Sequence, residues 1–296
     1  MNLNRTVKLN NGLEIPIIGL GTYRMTNKKK TKQNVKQAIE VGYRHIDTAT
    51  VYKNESEIGE ALQEIFSDPN SGILRKDIWV TSKLSPSDQG YEKTLAAVEA
   101  SLKKLKFDYI DMYLIHWPGA GGLKVSDPLN LEKRKQSWKA LEELYAAGKI
   151  RAIGVSNYQI NHLEEMKAYA TVMPAVNQCE FHPLLYTKDL VEYNKKNGIA
   201  FEAYSSLAEG RLVNGTYEFQ FVENIVKNHE ITHAQLYLAW ALHQGVIVIP
   251  KASSLQRLKE NLGALDVKLD EEEFNTIISN TSENQERFCW DPTTVL

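Results

Sequence analysis

The 296-residue sequence predicts a (β/α)8 TIM barrel with an N-terminal β-hairpin and long loops at the C-terminal face. Short, mainly apolar runs alternate with helix-like runs at a period of roughly thirty to forty residues, which implies a parallel sheet. The apolar runs do not alternate with polar residues, as expected when both faces of a strand are covered. Eight of them are present, enough to close a barrel. An open doubly wound sheet usually has fewer strands and, for dinucleotides, Gly-x-Gly-x-x-Gly after the first. That fingerprint is absent. Gly119-Ala120-Gly121-Gly122-Leu123-Lys124 resembles it only superficially and lies in a loop.

The elements follow in order. Val7 to Ile15 forms two short alternating runs around Asn11-Gly12, the signature of a hairpin with a two-residue turn, expected to plug or cover the barrel. Pro16-Ile17-Ile18-Gly19-Leu20-Gly21 is a buried strand ending in glycine. Further strands are expected near 43–46, 78–82, 109–115, 150–154, 175–178, 199–203 and 246–249. Helices are expected near 31–41, 54–66, 90–105, 132–147, 159–169, 187–197 and 254–263, with a helix pair near 219–229 and 233–243 before the last strand. Long loops at 117–131 and 205–220 follow strands and are candidate substrate walls. No linker or composition break appears, so residues 1–296 read as one domain, with a tail from about 280.

Composition narrows the class of function. A formal net charge of −2 suggests no polyanion partner, so nucleic acid is not expected. Cys179 and Cys289 are far apart, which fits a reducing, cytoplasmic setting rather than a disulfide framework. The first residues, Met1-Asn2-Leu3-Asn4-Arg5, contain no apolar leader, and no apolar run reaches the ~18 residues of a membrane span. The Asn-x-Ser/Thr matches at Asn54, Asn214 and Asn280 carry little weight in such a protein. No interface helix is evident, and a monomer is expected.

Polar residues stand at the C-terminal ends of the strand-like runs: Asp47, Lys83, His116, Asn157, Gln178, Tyr204 and Lys251. In a barrel this rim carries the chemistry. Any one of them could be a solvated strand end; seven around one shared cleft are hard to explain that way. Tyr52 follows Asp47 where a loop enters the next helix. An acid, a phenol, an ammonium and an imidazole in one cleft make a proton-handling site. Asp111, at or below mid-strand, reads as structural. A metal-dependent hydrolase is disfavoured, since no His-x-His strand pair or carboxylate–histidine cluster lies at the rim.

These residues resemble the signatures of the aldo-keto reductases. The matches are Gly19-Leu20-Gly21-Thr22, His45-Ile46-Asp47-Thr48-Ala49 with Tyr52, Ser82-Lys83-Leu84, His116-Trp117-Pro118, Gly154-Val155-Ser156-Asn157, Asn177-Gln178 and Ile249-Pro250-Lys251. They run in order through nearly the whole chain. Each is weak alone; together they are specific. The resemblance implies that a hydride moves from NADPH to the carbonyl of an aldehyde or ketone, with Asp47, Tyr52, Lys83 and His116 as the catalytic set. Tyr52 would be the general acid. A free tyrosine has a pKa near ~10, and the Lys83 ammonium is expected to lower it. Asp47 would hold Lys83. A neutral His116 would orient the carbonyl oxygen. A non-catalytic NADPH-binding barrel acting as a regulatory or partner subunit is the alternative. The intact set argues against it, because a pure binder does not need Tyr52.

The resemblance also implies the cofactor contacts. Ser156, Asn157 and Gln178 would bind the nicotinamide carboxamide, and Tyr204 would stack on its ring. Ser205 and Leu207 would line the pyrophosphate; Ser206 stands where the family often has proline. Gly21, Thr22 and Asp47 would also be cofactor-binding. Lys251 and Arg257 would meet the 2′-phosphate at a helix start, with Ser253 a further cofactor-binding residue there, and Glu260 and Asn261 would meet the adenine. Ala252 stands where the family commonly has serine, so NADPH is expected to be preferred with NADH as a weaker alternative. Tyr23, Val51, Trp117 and His116 would face a hydrophobic or flat carbonyl substrate. Trp79 is expected to point inward but lower, as core filling. The tail Phe288-Cys289-Trp290-Asp291-Pro292 is expected to fold over the pocket. The 205–220 loop looks shorter than in many mammalian-type members, which implies a more open site.

One motif is a decoy. His229-Glu230-Ile231-Thr232-His233 matches H-E-x-x-H, the zinc-protease signature. Thr232 with Gln235 reads as a capping box, so a helix boundary is expected between the two histidines, and no metal is expected. His45 and His182 read as structural, and His162 and His243 as helix-surface or packing residues.

Overall fold

Strand and helix alternate through most of the chain in a computed structural model, which describes residue 3 and residues 5–296. Met1, Asn2 and Asn4, part of the stretch read above for an apolar leader, lie outside the described residues. A hairpin of β1 (Thr6–Lys8) and β2 (Glu14–Pro16) comes first, followed by β3 (Leu20–Gly21), α1 (Lys28–Val41), β4 (His45–Asp47) and α2 (Glu55–Phe66). The chain continues through β5 (Trp79–Leu84), α3 (Tyr91–Leu105), β6 (Ile110–Ile115), α4 (Leu129–Ala146), β7 (Ile150–Ser156) and α5 (Ile160–Met166). Then come β8 (Val176–Glu180), α6 (Lys188–Lys196), β9 (Ala200–Tyr204), α7 (Gln220–His229), α8 (His233–His243), β10 (Ile247–Val248), α9 (Leu255–Gly263) and α10 (Glu271–Thr281).

Strands β3 to β10 pair in chain order, each parallel to the next. The ends meet. Gly19 N–H donates to Val248 O at 2.8 Å and Val248 N–H to Ile17 O at 2.9 Å. The sheet therefore closes on itself as a (β/α)8 barrel, as expected. Closure is tight at Gly21: a Cβ there would lie 2.4 Å from Ile249 O. Asp111 is structural. It accepts from Arg75 at 2.6 Å, from Arg151 at 2.8 Å and from Val80 N–H at 3.0 Å, near the N-terminal ends of the strands. Trp79 fills buried space at the same end.

Local signals explain the helix ends. Asn27 caps α1, and Gly42 at φ 114° stops it. Thr232 and Gln235 form the expected capping box at α8, while α7 stops at His229 with Glu230 left-handed. The two histidines of the H-E-x-x-H match thus sit on different helices. They pair instead with Glu273 at 2.7 Å and Glu223 at 2.8 Å.

Two expectations need correction. The hairpin turn holds three residues, not two. Leu9 and Leu13 are joined by a hydrogen bond, Gly12 N–H returns to Leu9 O, and Gly12 takes φ 84°, so the asparagine–glycine pair ends a longer turn. Asn10 and Asn11 donate from this turn to the backbone of Pro174 and Arg151, both at 3.0 Å, which seats the hairpin as a plug on the N-terminal end of the barrel. Secondly, α10 lies in a stretch that carried no helix expectation. Its signal was the capping box of Asp270 and Glu273. Among the described residues, no helix is long and apolar enough to cross a membrane.

Candidate active site

The barrel brings Asp47, Tyr52, Lys83 and His116 together at its C-terminal rim. Asp47 ends β4, Lys83 lies near the end of β5, and His116 follows β6. Tyr52 closes a single 3-10 turn, Thr50–Tyr52, between β4 and α2. That turn is stapled from several sides. Thr50 Oγ1 donates to Lys83 O at 3.0 Å and Thr22 Oγ1 to Asp47 O at 2.8 Å. Buried Asn54 accepts from Thr48 Oγ1 at 2.6 Å and donates to Thr22 O at 3.0 Å. Asn54 and Thr48 thus set the loop that carries Tyr52.

Lys83 is wholly buried at the centre. Its Nζ donates to both oxygens of Asp47 at 2.7 Å, to Thr48 O at 3.0 Å and to Tyr52 OH at 3.4 Å. Burial opposes its charge, but Asp47 and Tyr52 outweigh burial and its pKa is raised. The Tyr52 ring stands edge-on to His116, with centroids 5.7 Å apart. Burial, reinforced by Lys83, lowers the His116 pKa to about 3, so its imidazole is neutral. Its Nδ1 has no partner among the described residues.

Tyr52 departs from expectation. Lys83 does act to lower its pKa, yet burial pushes the phenol up to about 12, with Asp47 adding to the rise. A phenolate in this half-buried position loses more hydration than one ammonium at 3.4 Å returns. Tyr52 therefore holds its proton at neutral pH.

The second set of rim residues forms a connected polar wall. Ser156 Oγ donates to Gln178 O at 2.8 Å. Asn157, left-handed at φ 65°, donates to His116 O at 3.0 Å and accepts from Tyr204 OH at 2.7 Å. Gln178 Nε2 donates to Asp47 Oδ2 at 2.9 Å and to Glu202 Oε1 at 2.8 Å. Glu202 was not anticipated. Its signal was a lone acid in an apolar strand, two residues before Tyr204 and hence on the same face. Burial and Asp47 raise its pKa.

Beyond Tyr204 the chain turns left-handed at Ser205, Ala208 and Glu209, an unusual density for residues other than glycine. Ser206 is buried and donates to Ala203 O; Leu207 packs against the core. Glu209 pairs with Arg24 at 3.5 Å, joining this loop to the one that follows β3. Lys251, Ser253 and Arg257 are exposed around the N-terminus of α9, which Ser254 caps. Among the described residues neither Lys251 nor Arg257 has a carboxylate partner, and burial with Arg24 nearby lowers the Lys251 pKa. This cationic spot with unpaired helix-start N–H groups fits a phosphate. Glu260 is half-buried, and Asn261 is buried against the Tyr43 hydroxyl. Arg257, Glu260 and Asn261 lie on α9, whereas Lys251 precedes that helix and its backbone runs beside Gly21.

The mouth is apolar and open. Tyr23 is 51% exposed and Val51 43%. Tyr23 packs on Tyr52 with centroids 5.1 Å apart, and Trp117 meets Trp290 of the tail edge-on at 5.9 Å. The tail is tied down by Glu180, which accepts from the backbone N–H groups of Phe288 at 2.8 Å and Cys289 at 3.1 Å. His182 pairs with Glu180, and His162 bonds Val295 O at 2.8 Å, so both are packing residues. Among the described residues no group of three metal-ligating side chains occurs.

Comparison with known proteins gives a consistent result. The model of the Aldo/keto reductase family matches residues 17–280. A glyoxal reductase of Bacillus subtilis is 45% identical over 276 residues, 93% of this chain and 92% of its own length. A 9,11-endoperoxide prostaglandin H2 reductase of Trypanosoma cruzi is 42% identical over 278 residues, 94% of this chain and 92% of its own. Among solved structures, an aldo-keto reductase enzyme from a Medee basin deep-sea metagenome library superposes with a TM-score of 0.85 at 40% identity, covering 96% of this chain and 98% of that one.

Proposed function

Because this chain belongs to the Aldo/keto reductase family, we propose that it is an NADPH-dependent reductase of aldehydes or ketones, with Tyr52 as the proton donor. The observation that carries this reading is the Lys83 ammonium, bonded to both oxygens of Asp47 at 2.7 Å and lying 3.4 Å from Tyr52 OH. Bound NADPH supplies the reducing equivalent to the carbonyl carbon. The carbonyl oxygen gains negative charge and needs a proton, which Tyr52 holds at neutral pH. As the proton leaves, the phenolate forms beside Lys83. An opposite charge at this range favours the ionised phenol, so the ammonium acts on the transition state more than on the resting state. Asp47 keeps Lys83 charged and in place. Neutral His116 donates a ring N–H toward the carbonyl oxygen and sets its direction.

Lys251 and Arg257 supply the charge for a 2′-phosphate, and Tyr204 offers a ring face beside Asn157. Buried Ala252 offers no hydroxyl there, so NADH is accepted more weakly than NADPH rather than refused. Tyr23, Val51 and Trp117 make an open apolar mouth that suits flat or small carbonyl compounds. The likeness to a glyoxal reductase supports small dicarbonyls among them. The test is loss of reduced-nicotinamide absorbance with glyoxal and a set of aromatic aldehydes, with NADPH and NADH in parallel. Turnover with NADPH exceeding that with NADH supports the reading. NADPH binding without turnover on any carbonyl would sink it.

A further inference from the structure

Below the four rim groups, a second carboxyl group stands close to the first. Glu202 and Gln178 are register partners on β9 and β8, so their side chains share one face, the barrel interior. Strand β4, which carries Asp47, lies across the barrel from β8. Gln178 spans the gap. Its Nε2 donates to Glu202 Oε1 at 2.8 Å and to Asp47 Oδ2 at 2.9 Å. A primary amide nitrogen has two hydrogens, and both are committed. Turning the amide over would set its oxygen against the Asp47 carboxylate and withdraw the N–H groups from both acceptors. Gln178 is thereby left with Oε1, an acceptor, as its free end. The one side-chain hydrogen bond of Glu202 among the described residues is this bond to Gln178, and its Oε2 is buried without a partner.

We propose that Glu202 is a positioning residue: through Gln178 it fixes which end of that amide meets the carboxamide of the bound nicotinamide, and it steadies the Asp47 carboxylate that holds Lys83. The inference rests on the reading of Gln178 as a nicotinamide contact. Lys83 bonds Asp47 directly and not Glu202, so the charge belongs on Asp47 and the proton on Glu202. Burial keeps Glu202 neutral, and it adds no second anion beside Lys83. If Glu202 is removed, one Gln178 N–H loses its acceptor in a dry site. A buried unsatisfied donor is costly, so that N–H swings toward the ligand and takes the ligand carbonyl as acceptor.

The native site therefore requires an N–H2 on the ligand, whereas a site without Glu202 accepts a bare carbonyl. A pair of probes separates the two: NADP+, whose carboxamide has both groups, and its 3-acetylpyridine analogue, which has only the carbonyl. Binding is read by quenching of protein fluorescence, with no turnover required. The native protein is expected to bind NADP+ roughly three- to tenfold more tightly than the analogue. Glu202→Gln keeps size, neutrality and an acceptor, and should keep that ratio. Glu202→Leu, or Glu202→Thr if the leucine variant does not fold, should bring the ratio close to one. A native ratio near one overturns the proposal, as does an unchanged ratio in the shortened variant or an equal loss in Glu202→Gln. A native protein that binds neither probe removes the cofactor reading itself, and this inference with it.

Discussion

At the scale of single residues, the proposed chemistry rests on unequal burial of charge. Burial of its hydroxyl holds the Tyr52 proton, and Lys83 lies beside it, placed to stabilise the phenolate of the proposed step. Lys83→Met should therefore cost turnover heavily, about 10²-fold or more, while a fluorescence titration shows NADPH still bound. Glu202 makes a separate prediction. Its folded pKa is raised above the ordinary 4.5, so the folded state keeps a proton that the unfolded chain releases. Stability from this group is full below that pH and is lost as pH rises toward the folded value. Glu202→Gln should flatten that decline, seen as an unfolding midpoint that changes less between about pH 5 and about pH 8. Asp47, Lys83 and His116 were legible in the sequence because each is a polar residue ending an apolar run. Glu202 and Asn54 were not, because their roles depend on neighbours from distant strands and loops. The direction of the Tyr52 shift was missed for a related reason: an ammonium partner can be read from a motif, but the depth of burial around the phenol cannot.

At the scale of elements, α9 is the place to test cofactor choice. Among the described residues Arg257, at its start, has no carboxylate partner, and Arg257→Ala should weaken NADPH binding about tenfold or more while changing NADH binding far less. Equal losses for the two would contradict a phosphate contact. The α2–α3 contact tests packing. Gly59 lets α2 lie against the end of α3, where an added Cβ would sit 2.4 Å from Leu105 O. Gly59→Ala should cost about 1–3 kcal/mol in chemical denaturation. The start of α8 followed its Thr232 cap, whereas α1 begins at Lys28, ahead of the expected 31, because the Asn27 cap was not read. The hairpin loop and α10 show what local reading misses. Asn11-Gly12 signals a turn but not its length, which Leu9 and Leu13 decide by pairing. The charged start of α10 hides a helix whose apolar face is short.

At the scale of the whole molecule, the eight strands and their order followed from periodicity, because a parallel strand buried on both faces leaves an apolar run that is hard to mistake. The closed barrel also sets a pH limit. His45 is buried and His116 half-buried in the rim, and each is neutral with its pKa lowered to about 3 from 6.5. The unfolded chain binds those protons first, so stability is full above 6.5 and is lost as pH falls toward 3. Circular dichroism melts should show the midpoint dropping across that window, and a midpoint independent of pH there would contradict neutral burial. The proposed reduction turns on transfer of a proton from Tyr52 at the barrel rim. The most direct measurement is NADPH consumption with glyoxal by the native protein and by Tyr52→Phe, with NADPH affinity measured on both. Affinity should be unchanged and turnover lower by about 10²–10⁴-fold. A phenylalanine variant that turns over at the native rate would contradict it.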